Sequence, residues 1–145
     1  MPEPNHPLIV LVDEDDVVRD SLKLLLESHD LPVRDFRHAH DFLAGETDSA
    51  ACVVIGLNRV IDDGLELLAA LGRRGLDLPV IFVVGNCGAT QKLAALRAGA
   101  CAYLERPAGE AALVQTIKAA MAGRGAGAAP DLQSRGDKPA SADGR

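Results

Sequence analysis

Four consecutive acids, Asp13, Glu14, Asp15 and Asp16, follow directly on the apolar run Leu8–Val12. Carboxylates gathered at one point can bind a hard divalent cation, and with a basic side chain opposite they can hold a phosphate. A basic residue suited to that role is Arg106, in Glu105-Arg106-Pro107, which also follows an apolar run, Ala100–Leu104. Two further groups stand just past apolar runs: Gly56 to Asn58, and Val84 to Asn86. In an open parallel sheet, ligands bind outside the carboxyl ends of the strands, so these are the positions where a site is expected. A plainer explanation is that the acids start a helix, where the helix dipole favours them. Composition alone leaves both explanations open.

The elements that must position these residues are marked by hydrophobic pattern. Leu8–Val12 fits a strand buried on both faces. From Asp16 to Ser28 the apolar residues follow helical spacing, with acids in the first turn. A short strand is expected over Val33–Phe36 and a short helix over Ala39–Ala44. Ala51–Leu57 and Pro79–Val84 read as buried strands, Asp63–Arg74 as an amphipathic helix and Thr90–Ala98 as a further helix. Ala100–Leu104 reads as the last core strand and Glu110–Met121 as the last helix. Strand and helix alternate five times, at spacings suited to right-handed crossovers and a parallel sheet.

With 145 residues the chain has room for one domain, expected over 1–123. Aromatics make up only 3% of it, so Val, Leu, Ile and Ala must build the core. From 124 to 145 the residues are mainly Gly, Ala, Pro and Ser with a single Leu, which predicts a disordered tail or linker. A net charge of −6 argues against a nucleic-acid or anionic-membrane surface, since both need basic patches. No apolar run approaches the ~20 residues of a membrane span. The start lacks the basic region of a signal peptide, and Cys52, Cys87 and Cys101 are odd in number without a CxxC, so a reducing cytoplasm is expected.

LIVLVDEDDVVRDSL resembles the opening of bacterial response-regulator receivers, especially the subfamily that activates nitrogen-fixation genes. LPVIFVVGNCGATQKLAALRAGACAYLERP resembles the fourth strand, fourth helix and fifth strand of the same domain. AGA before a strand and a basic residue before proline are familiar punctuation of the family. The resemblance covers roughly Leu8 to Met121. It implies an α/β flavodoxin-like (CheY-like) sandwich, with a parallel sheet in order 2-1-3-4-5, two helices on one face and three on the other.

The resemblance also assigns positions. A working receiver has two metal-binding acids, a phospho-accepting Asp, a hydroxyl residue that follows the phosphate and a Lys that pairs with it. Asp13 and Glu14 match the acid pair. Gly64 matches the glycine that opens helix three, and counting back places Gly56 at the acceptor. Val84 stands at the hydroxyl position, Arg106 at the lysine, and Arg59-Val60 where a methionine-proline pair is usual. Without a carboxylate at 56 there is no nucleophile, and Mg²⁺ loses a ligand. Mg²⁺ binding is therefore expected to be weak or absent, with Asp13 and Glu14 the remaining candidates and no other cofactor. The guanidinium of Arg106 is expected to pair with Asp13 or Glu14 in place of the metal, the alternative being that it points to solvent. Asp62 and Asp63 lie six and seven residues past position 56, too far along to replace a nucleophile that must be placed within about 3.5 Å of its target.

Other residues carry a functional and a plain reading side by side. Tyr103 stands at the switch-aromatic position of the family; the plain reading is a half-buried ring with its hydroxyl in water. On the first helix Val18, Leu22, Leu25 and Leu26 form a core stripe, leaving Val17, Ser21 and Leu24 as a second, outward stripe. In receivers this helix docks a histidine kinase, so Val17, Ser21, Leu24 and Tyr103 are candidate partner contacts. A redox or iron–sulfur role for the three cysteines needs converging thiolates, and buried structural thiols are the preferred reading. His38 and His40 read as a solvated pair.

The expectation that follows is a non-enzymatic pseudo-receiver of two-component phosphorelay signalling. It binds a histidine kinase or another signalling protein without being phosphorylated. One alternative is the receiver part of a transcription factor whose DNA-binding domain is absent. Least favoured is a small phosphatase built on Asp13-x-Asp15. Strand five and the helices beside it are apolar enough to support a homodimer.

Overall fold

The computed structural model describes residues 8–45, 47, 49–58, 61–85, 89–106 and 109–126, with the backbone alone over 123–126. Strands and helices alternate along these residues: β1 (Leu8–Val12), α1 (Asp16–Ser28), β2 (Val33–Phe36), α2 (Ala39–Ala44), β3 (Ala50–Asn58), α3 (Asp62–Arg73), β4 (Val80–Gly85), α4 (Ala89–Arg97), β5 (Ala102–Glu105) and α5 (Glu110–Ala126). The five strands form one parallel sheet in the order β2-β1-β3-β4-β5, as the alternation and the resemblance require.

Both faces of the central strands are covered, which is why they read as unbroken apolar runs. One face packs Val10, Val12, Val53, Ile55, Phe82 and Val84 against Phe42 of α2, Leu67 and Leu71 of α3 and Ala95 of α4. The opposite face packs Ile9, Leu11, Cys52, Val54, Ile81 and Val83 against Leu26 of α1 and Leu113, Val114 and Ile117 of α5. Two helices therefore cover one face and three the other. Gly64 is where α3 comes closest to the sheet: a Cβ there would lie 2.6 Å from the ring of Phe82. Gly99, at φ +115°, ends the α4 turn in a conformation that side chains disfavour, and this accounts for the AGA before β5.

The boundaries of β1, α1, β2 and α2 fall where the pattern put them, and the later elements shift by one or two residues. The larger difference is at α5, whose backbone stays helical to Ala126 rather than ending at Met121. Its last turns, AAMAGRGA, are rich in Ala, which propagates a helix through isolated glycines at a cost of about 1 kcal/mol each. Residues 127–145, most of the expected tail, lie outside the described residues.

Candidate functional site

The four acids divide their roles. Asp15 caps α1: its Oδ1 accepts from the backbone N–H groups of Val17 at 2.9 Å and Val18 at 3.2 Å. Asp16 lies in the first turn and accepts from Arg19 Nη2 at 2.7 Å. The helix-start explanation is therefore right for these two. Asp13 differs, because its backbone N–H still pairs with Phe36 O across to β2 at 3.1 Å, and its side chain is buried at 7% exposure. Its Oδ1 accepts from the backbone N–H of Asp15 at 2.9 Å, and its Oδ2 accepts from Arg106 Nη2 at 2.9 Å.

Arg106 is brought there by the sheet. Its backbone N–H donates to Val84 O at 2.7 Å, continuing the β4–β5 pairing one residue beyond Glu105. The side chain then runs back over the ends of β4 and β3, with Nη1 3.3 Å from Leu57 O. Of the two acids the sequence offered, Asp13 is the partner. Glu14 is exposed and turned away, with Oε2 3.6 Å from His38 Nδ1.

Gly56 sits between the two members of the pair. A Cβ at this position would stand 2.7 Å from Arg106 Nη2 and 2.8 Å from the Asp13 carboxyl carbon, and closer still to Asp13 Oδ2. The ion pair thus occupies the space into which any side chain at 56 would project. Gly85, at the end of β4, is similarly crowded, with Asn58 Oδ1 3.0 Å from where its Cβ would be. Val84 is fully buried in the core and offers no polar atom to the crevice. Arg59, Val60, Asn86 and Pro107 lie outside the described residues.

This donor set does not suit a divalent cation. One Asp13 oxygen is committed to a guanidinium and the other to a backbone N–H, while Glu14 faces an imidazole. Among the described residues no three His, Cys, Asp or Glu side chains are grouped to hold a metal. Asp62 and Asp63 are exposed in the first turn of α3, on the rim of the open crevice that Asp13, Gly56, Asn58 and Arg106 line.

Sequence reasoning missed Arg19, which joins three elements. Its Nη1 donates to Asp13 O at 2.8 Å, its Nε to Asp35 Oδ2 at 3.0 Å and its Nη2 to Asp16. Lys23 adds a second contact to Asp35 at 3.4 Å. The hydrogen bond from Arg19 is the main cause holding the Asp16 carboxyl below its usual pKa. Burial pushes Asp35 up, but its hydrogen bonds and attraction to Arg19 and Lys23 outweigh this and leave it lowered. An Arg three residues after an Asp on a helix was the available signal for part of this network; the link to β2 had none. The N-terminus of α3 is tied in a comparable way, with Ile61 N–H donating to Gln91 Oε1 of α4 at 3.1 Å.

Two expectations are corrected. Tyr103 is not half-buried with a wet hydroxyl: the residue is 9% exposed, it belongs to the core, and its oxygen is buried. It packs on the α2–α4 side because residues alternate along β5, and it presents little surface to a partner. Cys52 is buried as expected, but Cys101 is exposed, since it precedes β5 rather than lying within it. Partial desolvation still pushes its thiol pKa up. Cys87 lies outside the described residues. His38 and His40 stack with ring centroids 5.3 Å apart and are 41% and 79% exposed, a solvated pair as expected, with Glu14 beside His38. Val17 and Leu24 on α1 are 74% and 69% exposed, and Ser21 between them is exposed too, as the second stripe predicted.

Comparison with known proteins identifies the family and the fold. Residues 9–118 match the family model described as the response regulator receiver domain. The transcriptional regulatory protein TdiR of Thauera aromatica is 36% identical over 119 residues, covering 81% of this chain and 52% of the relative. The transcriptional regulatory protein FixJ of Azorhizobium caulinodans is 36% identical over 112 residues, covering 77% and 53%. The crystal structure of a response regulator receiver protein from Pseudoalteromonas atlantica superposes with a TM-score of 0.71 at 30% identity, over 81% of this chain and 99% of that one. The chain spans about half the length of the curated relatives it matches.

Proposed function

The chain belongs to the response regulator receiver family, and from that premise we propose that it is a pseudo-receiver, which acts in two-component signalling by binding rather than by accepting phosphate. The observation that carries this reading is the Asp13–Arg106 pair beside Gly56. In this reading Gly56 stands at the acceptor position, so no carboxylate is present to attack a phosphoryl donor. Arg106 neutralises Asp13 internally, which removes the need for a cation that a charged acid cluster would create. With Val84 apolar and Tyr103 already inside, the pocket and the β5 aromatic rest in one arrangement. Inputs then reach the domain as partners, and outputs leave as occupied surface.

The partner fitting this reading is a histidine kinase or another signalling protein that meets the exposed stripe Val17, Ser21 and Leu24 of α1. Occupying that helix on a kinase keeps a true receiver off and modulates phosphotransfer. Among the described residues no helix is long and apolar enough to cross a membrane. A second reading has an observation of its own: both curated relatives quoted are named as transcriptional regulatory proteins, and the chain corresponds to about half of each. In that reading the domain controls a DNA-binding partner domain in cis, still without phosphate.

The test is treatment with acetyl phosphate or beryllofluoride plus Mg²⁺, followed by intact mass and amide NMR. The expected result is no mass gain and no shift of the Gly56, Gly85 or Arg106 amides. A stable +80 Da adduct, or beryllofluoride shifts centred on the crevice, would overturn the pseudo-receiver reading.

A further inference from the structure

Two separate helices expose large aliphatic side chains to solvent, and the charges around them have opposite sign. On α1, Val17 and Leu24 are flanked by Asp20 and Glu27, each three residues further on and therefore one turn away on the same side of the helix. Asp20 and Glu27 are exposed and make no ion pair among the described residues. On α4, Leu93 and Leu96 are 50% and 41% exposed, and the flanking residues are Lys92 and Arg97. Both bases are exposed and likewise make no ion pair among the described residues. α4 buries only Ala95, so nearly all of its side-chain surface is available.

We infer that these two faces are complementary halves of one interface, and that the α1 face of one copy docks on the α4 face of the next. Val17 and Leu24 meet Leu93 and Leu96, and the acidic flank of α1 meets the basic flanks of α4, so that charges with no ion-pair partner among the described residues of one molecule are paired between two. Like faces would not associate this way: α1 on α1 sets Asp20 and Glu27 against their own copies, and α4 on α4 does the same to Lys92 and Arg97. α1 lies on the sheet face it shares with α5, and α4 on the face it shares with α2 and α3. A reciprocal two-fold dimer therefore cannot engage both faces of both molecules, and the contact is head-to-tail, running on from copy to copy unless its rotation closes a ring. Two aliphatic side chains per side are small beside the roughly 800 Å² per partner of a standard interface, so the association is weak, on the order of 0.1–1 mM. The inference does not depend on the pseudo-receiver reading and survives either outcome of the acetyl-phosphate test. Because the α1 face is shared, self-association competes with any partner that binds Val17 and Leu24.

The experiment is sedimentation velocity and equilibrium on the full chain, on Leu24→Asp, on Leu93→Asp and on their equimolar mixture. Both substitutions are at exposed positions, and thermal melts matching the parent confirm that each variant is folded. The parent is expected to rise in average mass with concentration past that of a dimer. Each variant alone is expected to be monomeric, with association at least tenfold weaker. The mixture is expected to form a 1:1 heterodimer and stop there, because Leu93→Asp keeps the α1 face and Leu24→Asp keeps the α4 face. A monomeric parent at ~1 mM, a plateau at the dimer, self-association retained by either variant, or a mixture that stays monomeric would each overturn the head-to-tail contact.

Discussion

Asp13 and Arg106 are ninety-three residues apart in sequence and joined by a 2.9 Å ion pair that covers the α-carbon of Gly56. Asp13 is nearly buried, whereas Arg106 keeps 30% of its side chain in water, so the carboxylate has more to lose from a broken pair. Removing the base strands a buried charge. Replacing both partners removes the desolvation cost together with the attraction. Arg106→Met is therefore expected to destabilise the fold by about 2–3 kcal/mol, below the 3–5 kcal/mol typical of fully buried pairs. Asp13→Asn combined with Arg106→Met is expected to cost less than the sum of the two single changes, by about 1–2 kcal/mol. Urea unfolding of the four proteins gives the cycle directly, and additive costs would mean the pair is not coupled.

Placing a side chain at position 56 is expected to damage the fold before it supplies any chemistry. Gly56→Ala drives a Cβ into the Asp13–Arg106 pair, and overpacking of this kind costs about 1–3 kcal/mol. Gly56→Asp adds a second carboxylate against Asp13 and is expected to be worse. Combining Gly56→Asp with Arg106→Lys gives the shorter base more room to withdraw and should recover part of the stability. Melting temperatures rank the three variants, and a Gly56→Asp protein as stable as the parent would show that the pair yields easily.

The sheet was legible because each central strand is buried on both faces, so Leu8–Val12 and Val80–Gly85 stand out as continuous apolar runs. The ion pair was legible only to within a choice between Asp13 and Glu14. What decides it is the pleat: Asp13 still pairs in register with β2 and stays under the sheet edge, while Glu14 has left it. Tyr103 was misread because alternation along a four-residue strand such as β5 does not say which face is deeper. Arg19 was invisible for a different cause. Its partners are Asp13, just past the end of β1, and Asp35 on the neighbouring β2, and only the closed sheet brings them within reach of one guanidinium.

The outward stripe on α1 separates stability from binding. Val17 and Leu24 are more than two-thirds exposed, so Val17→Ser with Leu24→Ser is expected to change unfolding free energy by no more than about 0.5 kcal/mol per site. Capture of a histidine-kinase dimerisation domain, read by calorimetry or surface plasmon resonance, is expected to fall at least tenfold. Unchanged affinity would overturn the proposed docking through α1.

Acid stability should report on the Arg19 network. In the folded state Asp35 has a pKa below its ordinary 3.8, since Arg19 and Lys23 together outweigh the opposing effect of burial, and Asp16 is lowered chiefly by its hydrogen bond from Arg19. Unfolded, both carboxyls return to about 3.9 and bind protons more readily. Between the folded and unfolded pKa values the unfolded chain therefore carries more protons, and stability rises with pH there. The contribution is fully present above the unfolded value and is lost as pH falls through the folded one, so the window lies below about pH 4. Asp35→Asn removes one of the two carboxyls and is expected to flatten this acid limb while lowering stability at neutral pH. Chemical denaturation at half-unit steps from pH 2.5 to 6 would measure it, and an acid limb as steep in Asp35→Asn as in the parent would mean that Asp35 is not linked to folding.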